Sequence, residues 1–598
     1  MKIIDKIKLI IRNIKLVNGF DRHIIFFNII ILSIGTATPF VNTYFSKYLT
    51  LFLSNESTPI YLTIGLIFIF LFAIAIIQIL ETLLYSETQK RNIKFHHNLN
   101  LSINFKCNRS TYMHILDKDF MDKKELAQTA CNSGKHIALT NDIFNIIRNI
   151  VVISGMTYNL RMFPYIVFVA LFVVVVGNVV TSIYTKKANY QMDVFESQFR
   201  IKTSYVRGVV NDSKYAKDIR VFGMEDSLAD KMNKYDLEAR QQIKKHYNSL
   251  FKKNVLVEVS AFIFNCVVYL SIGYAFLVEK SMQLSDFVFL IGVVSSVHSA
   301  FNGLTDNIIS ANSDLVYIKD YFSFIDLDSE IDQTDIEKCE DEIDIIKNIK
   351  FDNVSFMYPG TNEWALKKFS FNFEINNAYM IVGKNGAGKS TLIKLLLRLY
   401  DNYDGEILIN GINIRSIDYS SYIKKISVVF QDYSLFSMPI KENIVPDGSV
   451  PDIMKVNKIF SLLSLMEKIE SLSDKSESLL FRQFDKKGVE LSGGEMQKLA
   501  IARGLYKDAL ISIFDEPTSS LDIYSEQNVL EVINSTKKNR IIIFTTHRLS
   551  MKNVASQIIV LDNGQICECG SPNELLANKG AYYELFSAQA EGFQSRDK

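Results

Sequence analysis

The chain has 598 residues, several times the size of one domain, so two or more folded units are expected. Its net charge of +1 and a sequence pI near 7.5 give no basic surplus, so no nucleic-acid partner is expected. Apolar runs fill the first half and are sparse in the second. The composition therefore predicts a membrane domain over 1–325, an acidic and solvated linker over 326–345, and a soluble domain over 346–598.

Several stretches of the first domain are long and apolar enough to cross a bilayer, which takes about 20 residues. The third stretch is interrupted by Asn145, Arg148 and Asn149. Together the stretches predict an α-helical six-span transmembrane domain in contact with a lipid bilayer. The predicted spans are 24–44, 60–83, 143–158, 163–184, 255–278 and 284–304.

The charges between the spans predict their orientation. The short connections hold only Lys47, Arg161 and Lys280 as cations, whereas the two long connections are rich in lysine and arginine. Cytoplasmic loops carry the excess of positive charge, so the N-terminus, the long connections and the soluble domain are predicted to be cytoplasmic in a multi-pass plasma-membrane protein. The long connections are poor in proline and glycine, which predicts helices that extend past the membrane and turn near 117–122 and 211–225.

Polar side chains also fall inside the predicted spans. Such groups are costly in a bilayer and mark either a transport pathway or a hydrogen bond between helices, of which the second is the commoner role. These residues are Asn28, Asn178, Asn265, His298 and Asn302.

The soluble domain has the alternating pattern of an α/β protein. An apolar strand at 380–382 leads into GKNGAGKST at 383–391, and 392–399 continues as a helix. This is a phosphate-binding loop in its strand–loop–helix context: backbone N–H groups and Lys389 bind phosphate, and the Ser390 hydroxyl binds Mg²⁺. The predicted nucleotide-binding residues are Gly383, Asn385, Gly386, Gly388, Lys389, Ser390 and Thr391.

A second motif carries two carboxylates. Residues 510–514 form an apolar strand pattern, and Asp515 and Glu516 stand at its carboxyl end, where ligand sites of α/β sheets form. Asp515 is predicted to hold Mg²⁺, and Glu516 is placed to take a proton from the attacking water. Two solvated carboxylates that open a turn before Pro517 would not explain why they end a buried strand.

The sequence LSGGE at 491–495, followed by Gln497, resembles the signature of ATP-binding-cassette (ABC) proteins. Other pieces occur in the family's order and spacing. They are the adenine-stacking aromatic Tyr358, the Gln-loop residue Gln431, the D-loop at 519–522 and the switch histidine His547.

The resemblance implies a P-loop NTPase fold with ATP and Mg²⁺ as cofactors. The residues that it implies to be catalytic are Glu516, His547 and Gln431. Those implied to hold the metal are Ser390, Gln431 and Asp515. Contacts to the nucleotide are implied, besides the phosphate loop, for Tyr358, Ser492, Gly493, Gly494 and Asp522.

The membrane half resembles the exporter class of the family, in which one chain carries six spans before its cassette. The resemblance implies dimerisation with a second half-transporter and docking of the loop tips, such as 211–226, on the cassettes. A homodimer is favoured because Glu516, the signature and His547 are all intact, although a heterodimer with a degenerate partner stays open.

One position departs from the exporter pattern. Where exporters commonly carry a glutamate just before the signature, the chain has Lys486. With Glu495 in the signature and the KDIR element at 217–220, the chain resembles the bacterial bacteriocin- or lantibiotic-type peptide exporter branch.

The predicted function is ATP-driven export of a peptide or an amphipathic small molecule by alternating access. The alternative cargo is a lipid or a hydrophobic drug. A third hypothesis, an ATP-gated channel or sensor, is disfavoured because such a protein has no need of Glu516 and His547.

Overall fold

The computed structural model describes residues 3–54, 59–158, 202–280, 282–328, 345–445, 447–546, 548 and 552–594, with positions 177, 192, 195 and 199 singly. The chain divides into two compact units. The first comprises Met1–Ser110 and His114–Ser329, and the second comprises Thr111–Met113 and Glu330–Lys598.

Helices make up the described part of the chain before the linker. They are α1 (Ile3–Phe20), α2 (Arg22–Ser54), α3 (Ile60–Arg109), α4 (Tyr112–Leu116), α5 (Lys118–Asn132), α6 (Lys135–Thr157), α7 (Ala216–Val221), α8 (Glu225–Leu277) and α9 (Leu284–Ile325).

Five of these helices, α2, α3, α6, α8 and α9, are long and apolar enough to cross a membrane. They coincide with five of the six predicted spans. The predicted span at 163–184, which contains Asn178, lies outside the described residues, so the count of six stays a prediction. Helix α3 has 50 residues, a length of about 75 Å, and therefore extends well past a hydrocarbon core of about 30 Å.

Two glycines explain how α6 continues through its polar residues. A Cβ atom added at Gly35 would lie 3.3 Å from Cδ of Arg148, and one added at Gly303 would lie 2.8 Å from Nδ2 of Asn149. Because Gly35 of α2 and Gly303 of α9 have no side chain, the side chains of Arg148 and Asn149 have room. Helix α6 begins at Lys135, eight residues before the start of the predicted span.

Some of the polar side chains in the described spans form hydrogen bonds with one another. Asn28 of α2 donates from Nδ2 to Oδ1 of Asn141 of α6 over 3.1 Å. Within α9, Nδ2 of Asn302 lies 3.0 Å from Nε2 of His298. Asn28 therefore has the commoner of the two predicted roles, a hydrogen bond between helices.

The two turns that were predicted in the long connections between the spans have different outcomes. The predicted turn at 117–122 is wrong, because α3 ends at Arg109 and residues 118–122 form the first turn of α5. Asp117 caps that helix by accepting a hydrogen bond from the Asp119 amide, a typical N-cap interaction. The second break lies where it was predicted, with a 3₁₀ turn at Ser213–Tyr215 and the short helix α7.

The second unit contains two sheets. An antiparallel sheet has the strand order β2-β1-β4-β5, and a six-stranded sheet has the order β10-β9-β3-β8-β7-β6. The six-stranded sheet is parallel except for the edge strand β10. Its strands are β3 (Asn377–Gly383), β6 (Ile426–Val429), β7 (Ile511–Asp515), β8 (Ile541–Thr545), β9 (Gln557–Asp562) and β10 (Gln565–Gly570), and those of the other sheet are β1 (Asn348–Met357), β2 (Trp364–Glu374), β4 (Asp404–Ile409) and β5 (Ile412–Asn413).

Every residue of β7 and β8 is buried, as expected for parallel strands with both faces covered. Because β8 lies between β3 and β7, the carboxyl ends of all three strands meet at one edge. The covering helices are α10 (Lys389–Leu396), α11 (Tyr419–Lys424), α12 (Ile440–Ile444), α13 (Ile453–Leu462), α14 (Met466–Glu470), α15 (Gly493–Tyr506), α16 (Ile523–Ser535), α17 (Pro572–Asn578) and α18 (Ala581–Gln594).

Candidate nucleotide site

The phosphate-binding loop joins β3 to α10 at that edge. Gly388 has a φ of 105°, and a Cβ atom there would lie 2.6 Å from the carbonyl oxygen of Ala365. Only glycine fits this backbone conformation and this close approach. The loop borders a cleft of about 640 Å³, which is lined by Tyr358, Thr361, Glu363, Trp364, Ala365, Asn385, Gly386, Ala387, Gly388, Lys389, Ser390, Thr391, Gln431 and Glu516.

Lys389 is held by the loop itself. Its ammonium group donates to the carbonyl oxygens of Gly383, over 2.8 Å, and Lys384, over 3.1 Å. Burial lowers the pKa of Lys389, and the nearby carboxylates of Glu516 and Asp515 oppose that shift. The lysine is thus a partly desolvated donor at the floor of the cleft, where an anionic ligand would favour its charged form.

Asp515 lies at the end of β7 and has two hydroxyl partners. Thr545 donates to its Oδ1 over 2.5 Å, and Ser390 donates to its Oδ2 over 3.4 Å. Carboxylate and hydroxyl oxygens are suitable ligands for Mg²⁺. The facing pair Ser390 and Asp515 therefore fits the predicted metal site.

Glu516 has an uncommon backbone conformation, with a φ of 48°. Its amide donates to the carbonyl and hydroxyl oxygens of Thr545, each over 3.2 Å. Its side chain accepts a hydrogen bond of 3.0 Å from Nε2 of Gln431, and both side chains line the cleft. Strained backbone at the end of a buried strand is typical of functional sites, and here it accompanies a carboxylate at the cleft.

Tyr358 lines the other side of the cleft and is fixed by its neighbours. Its hydroxyl lies 3.0 Å from that of Thr391, and its ring packs edge-on against Phe356 and Tyr400. The loop and the aromatic wall are therefore connected directly.

The signature residues belong to the start of α15. Ser492 is its N-cap and forms a capping box with Glu495, whose carboxylate accepts from the Ser492 amide over 2.8 Å. Tyr433, two residues after Gln431, donates to the carbonyl oxygen of Gly493 over 3.2 Å. The Glu495 side chain thus stabilises the N-terminus of α15, where a negative charge is favourable.

Some of the predicted residues lie elsewhere. Ser492, Gly493, Gly494 and Asp522 do not line the cleft of their own chain. Asp522 is the N-cap of α16, where the hydrogen bond from the Ser525 amide lowers the pKa of its carboxyl group. His547 lies outside the described residues.

Other residues of the cleft escaped the sequence-based prediction. Thr361, Glu363 and Trp364 line it because β2 starts beside the phosphate-binding loop. Trp364 is the only tryptophan of the chain, and its position just after the turn at Tyr358 was the available signal. Gln497, which the sequence indicates only as part of the signature, is buried and contacts the carbonyl oxygen of Glu516 and the amide of Ser520.

Residues 366–519 match the ABC transporter family model. The chain is 32% identical over 391 residues to the subtilin transport ATP-binding protein SpaT of Bacillus subtilis, covering 64% of this chain and 62% of SpaT. It is 37% identical over 275 residues to an ATP-dependent lipid A-core flippase of Mannheimia succiniciproducens, covering 45% of each protein. The alignments thus span less than two thirds of these relatives.

The fold is also similar to that of a solved structure, a bacterial Atm1-family ABC exporter with ATP bound. The TM-score is 0.79 and the identity 22%, over 95% of this chain and 98% of the exporter. The predicted fold class, a helical membrane-type domain followed by a P-loop NTPase domain, is confirmed. The chain therefore has the fold of that exporter over nearly its whole length, with a helical membrane-type domain followed by a domain of which residues 366–519 match the ABC transporter family.

Proposed function

We propose that the protein hydrolyses ATP and uses the energy to export a peptide or an amphipathic small molecule across the plasma membrane. The observation that carries this proposal is the cleft itself. It brings the Glu516 carboxylate and the Gln431 amide into contact beside Lys389 and Ser390, although these residues are far apart in sequence.

ATP binding would use groups that are already in place. The loop amides and Lys389 would receive the phosphates, and the Tyr358 ring would contact the adenine. Mg²⁺, bound by Ser390, Asp515 and Gln431, would neutralise charge on the phosphate oxygens. The Gln431 side chain would then break its hydrogen bond to Glu516 and respond to the presence of the metal and the γ-phosphate.

Glu516 is the proposed general base. Its carboxylate takes a proton from water as the water oxygen bonds to the γ-phosphorus, and the bond from that phosphorus to the bridging oxygen of ADP breaks. His547 is proposed to hold the γ-phosphate. The uncommon φ of Glu516 and its two amide contacts to Thr545 support a carboxylate that stays in place during this step.

A second half-transporter would complete the site. Ser492, Gly493 and Gly494 lie at the N-terminus of α15, which carries a partial positive charge suited to the γ-phosphate of the partner's ATP. Asp522 would lie at the same interface. We favour a homodimer because the sequence has every hydrolytic residue, and a symmetric purified particle would support it, whereas obligate co-purification with a different cassette would contradict it.

The cargo proposal is supported by the relatives. SpaT is named for subtilin transport, and the KDIR element resembles the peptide exporter branch. The lipid A-core flippase keeps a lipid cargo open as the alternative. The lysine-rich long loops support cytoplasmic placement of the N-terminus and the cassette. The outward direction of transport is supported by the resemblance of the membrane half to exporters.

The test uses the purified chain in liposomes. Glu516→Gln should lower ATP hydrolysis by at least about 100-fold, because general-base catalysis is lost. Trp364, which lines the cleft, should still change its fluorescence on ATP addition. Glu531→Gln, at an exposed carboxylate of α16, is the matched control and should hydrolyse ATP normally. Near-normal hydrolysis by Glu516→Gln would refute the proposed base.

Cargo is tested in the same liposomes. Peptides of the lantibiotic class, lipids and hydrophobic drugs are added separately, and both ATP hydrolysis and movement across the bilayer are measured. Stimulation and transport by the peptides alone support the main proposal. Stimulation by lipids or drugs without any response to peptides would transfer it to the alternative.

A further inference from the structure

The D-loop segment, residues 517–522, connects the catalytic end of β7 to α16. It begins immediately after Glu516 and ends at the N-cap Asp522. Neither end of the segment is free to move alone, because its backbone is held from two sides by side chains that do not line the nucleotide cleft.

Gln497 of the signature helix holds the first side. Its Nε2 donates to the carbonyl oxygen of Glu516 over 3.3 Å and to the Ser519 hydroxyl over 3.1 Å, and its Oε1 accepts from the Ser520 amide over 2.8 Å. Gly494 lies against the same stretch, since a Cβ atom there would be 3.3 Å from the Ser520 carbonyl oxygen.

Arg548 holds the second side. Its Nη2 donates to the carbonyl oxygen of Ser519 over 3.1 Å, and its Nη1 donates to that of Leu521 over 3.3 Å. The same guanidinium is ion-paired with Glu526 of α16. A planar guanidinium with donors in a fixed fork suits three such acceptors at once, whereas an ammonium group does not have this geometry.

Glu526 fixes the direction of the arginine. Its side chain is only 7% exposed, and a buried carboxylate of this kind requires a positive partner. Arg548 follows directly on His547 in the sequence and lies shortly after the end of β8. The Arg548 side chain thus connects the residues that follow β8 to two carbonyl groups of the D-loop segment, those of Ser519 and Leu521.

We propose that Arg548 is a positioning residue for ATP hydrolysis. By holding the carbonyl groups of Ser519 and Leu521, it keeps the D-loop segment, and with it the preceding Glu516, in place. Arg548 does not line the nucleotide cleft and would act through these groups. The inference rests on the proposed ATP hydrolysis and extends it to a residue outside the cleft.

A purely structural role would be to neutralise Glu526. The two roles differ in what they predict for Arg548→Lys, because a lysine supplies the charge but not the fork. Positioning also predicts a loss in kcat without a loss of ATP binding, whereas general destabilisation would affect melting and binding together.

The experiment compares kcat, KM for ATP, the Trp364 response and the melting temperature of the full chain in detergent. Arg548→Gln and Arg548→Lys should each lower kcat by at least about tenfold, with KM and the Trp364 response within about twofold. Arg548→Lys should keep the melting temperature of the unaltered chain. Glu526→Gln, which retains an acceptor oxygen and leaves the carbonyl contacts in place, should keep kcat within about threefold.

The matched control is Arg540→Gln. Arg540 precedes β8, as Arg548 follows it, and is ion-paired with Asp508 away from the D-loop segment. It should hydrolyse ATP normally. A normal kcat in Arg548→Gln, or full rescue of kcat by Arg548→Lys, would overturn the positioning role. Absence of hydrolysis in the unaltered chain would instead overturn the proposed function, and this inference with it.

Discussion

Strand β8 of the cassette and helix α3 of the first unit are both strongly apolar, but they are covered in different ways. All five residues of β8 are buried by protein. The most apolar 18-residue window of α3 has a mean hydropathy of 2.9, yet only 6% of it is buried inside the protein. An apolar surface of this size needs a cover, and α3 is long enough for a bilayer to supply it.

The polar side chains of the two regions also differ in where they lie. At the carboxyl ends of the cassette strands, Lys389, Asp515 and Glu516 each have named partners at the cleft. In the described spans, Asn28 bonds to Asn141 of another helix and His298 lies beside Asn302 of its own helix. The polar side chains of the cassette that are named here are therefore concentrated at one edge of a sheet, whereas those of the first unit are spread along helices.

The largest expected effect tests the burial of the cassette strands by the surrounding protein. Phe544→Ala, in the fully buried β8, should lower the free energy of unfolding by about 3–5 kcal/mol, because it removes a ring and leaves a cavity. Unfolding in denaturant, followed by Trp364 fluorescence, measures this. Phe484→Ala is the control, since Phe484 is 81% exposed and should cost less than about 0.5 kcal/mol. Equal losses would contradict the assigned burial.

The next effect tests the cover of α3. Phe68 is 69% exposed, and Phe68→Asp should disfavour membrane insertion by about 3–4 kcal/mol if the bilayer covers that face. The measurement is the fraction of the chain inserted into membranes in a translation system. Phe484→Asp makes the same change at an exposed site of the cassette and should insert normally. Normal insertion of Phe68→Asp would show that lipid does not cover this face.

A smaller effect concerns the partly desolvated Lys389. Its pKa is lowered, so in the empty protein its charge is lost below the ordinary pKa of lysine as pH rises. Because phosphate binding needs the charged form, ATP affinity should fall, by up to about tenfold per pH unit, once pH rises through the lowered pKa. Titrations followed by Trp364 fluorescence measure this.

Lys389→Ala provides the control for that pH dependence. It should bind ATP about 10–100-fold more weakly, as expected for the loss of a charged hydrogen bond, and without the alkaline decline. Lys424→Ala, at an exposed lysine of α11, should behave as the unaltered chain. A decline that persists in Lys389→Ala would assign the titration to another group.

The smallest effect separates two matching helix caps. Ser492→Ala and Ser571→Ala each remove the serine of a capping box and should each cost about 1 kcal/mol of stability. Only Ser492→Ala should also lower ATP hydrolysis, because Ser492 is proposed to face the partner's nucleotide. Equal ATPase activities of the two variants would argue against that role.

The cassette was the more predictable region because its motifs stand at strand ends. A parallel sheet brings the ends of β3, β8 and β7 to one edge, so Lys389, Ser390, Asp515 and Glu516 were expected to meet, and the structure places them together. Such an argument needs only the position of each motif at the carboxyl end of an apolar strand.

Contacts that depend on side-chain direction were not predictable. Trp364 reaches the cleft because β2 of the other sheet starts beside the loop, and Arg548 reaches the D-loop segment because Glu526 of α16 attracts it. In α6, the room for Arg148 and Asn149 depends on glycines of two other helices. The misplaced turn at 117–122 had a local cause, since Asp117 starts a helix where a loop was expected.

The carbonyl contacts of Lys389 have a kinetic consequence. The lysine already has two oxygen acceptors within its own loop, so nucleotide binding exchanges these acceptors for phosphate oxygens and does not satisfy an unpaired charge. The net gain per binding event is accordingly smaller, and departure of the product leaves the ammonium group with acceptors to which it can return. Because differences in affinity lie mostly in the rate of dissociation, a loop built in this way would favour faster release of nucleotide over tight retention.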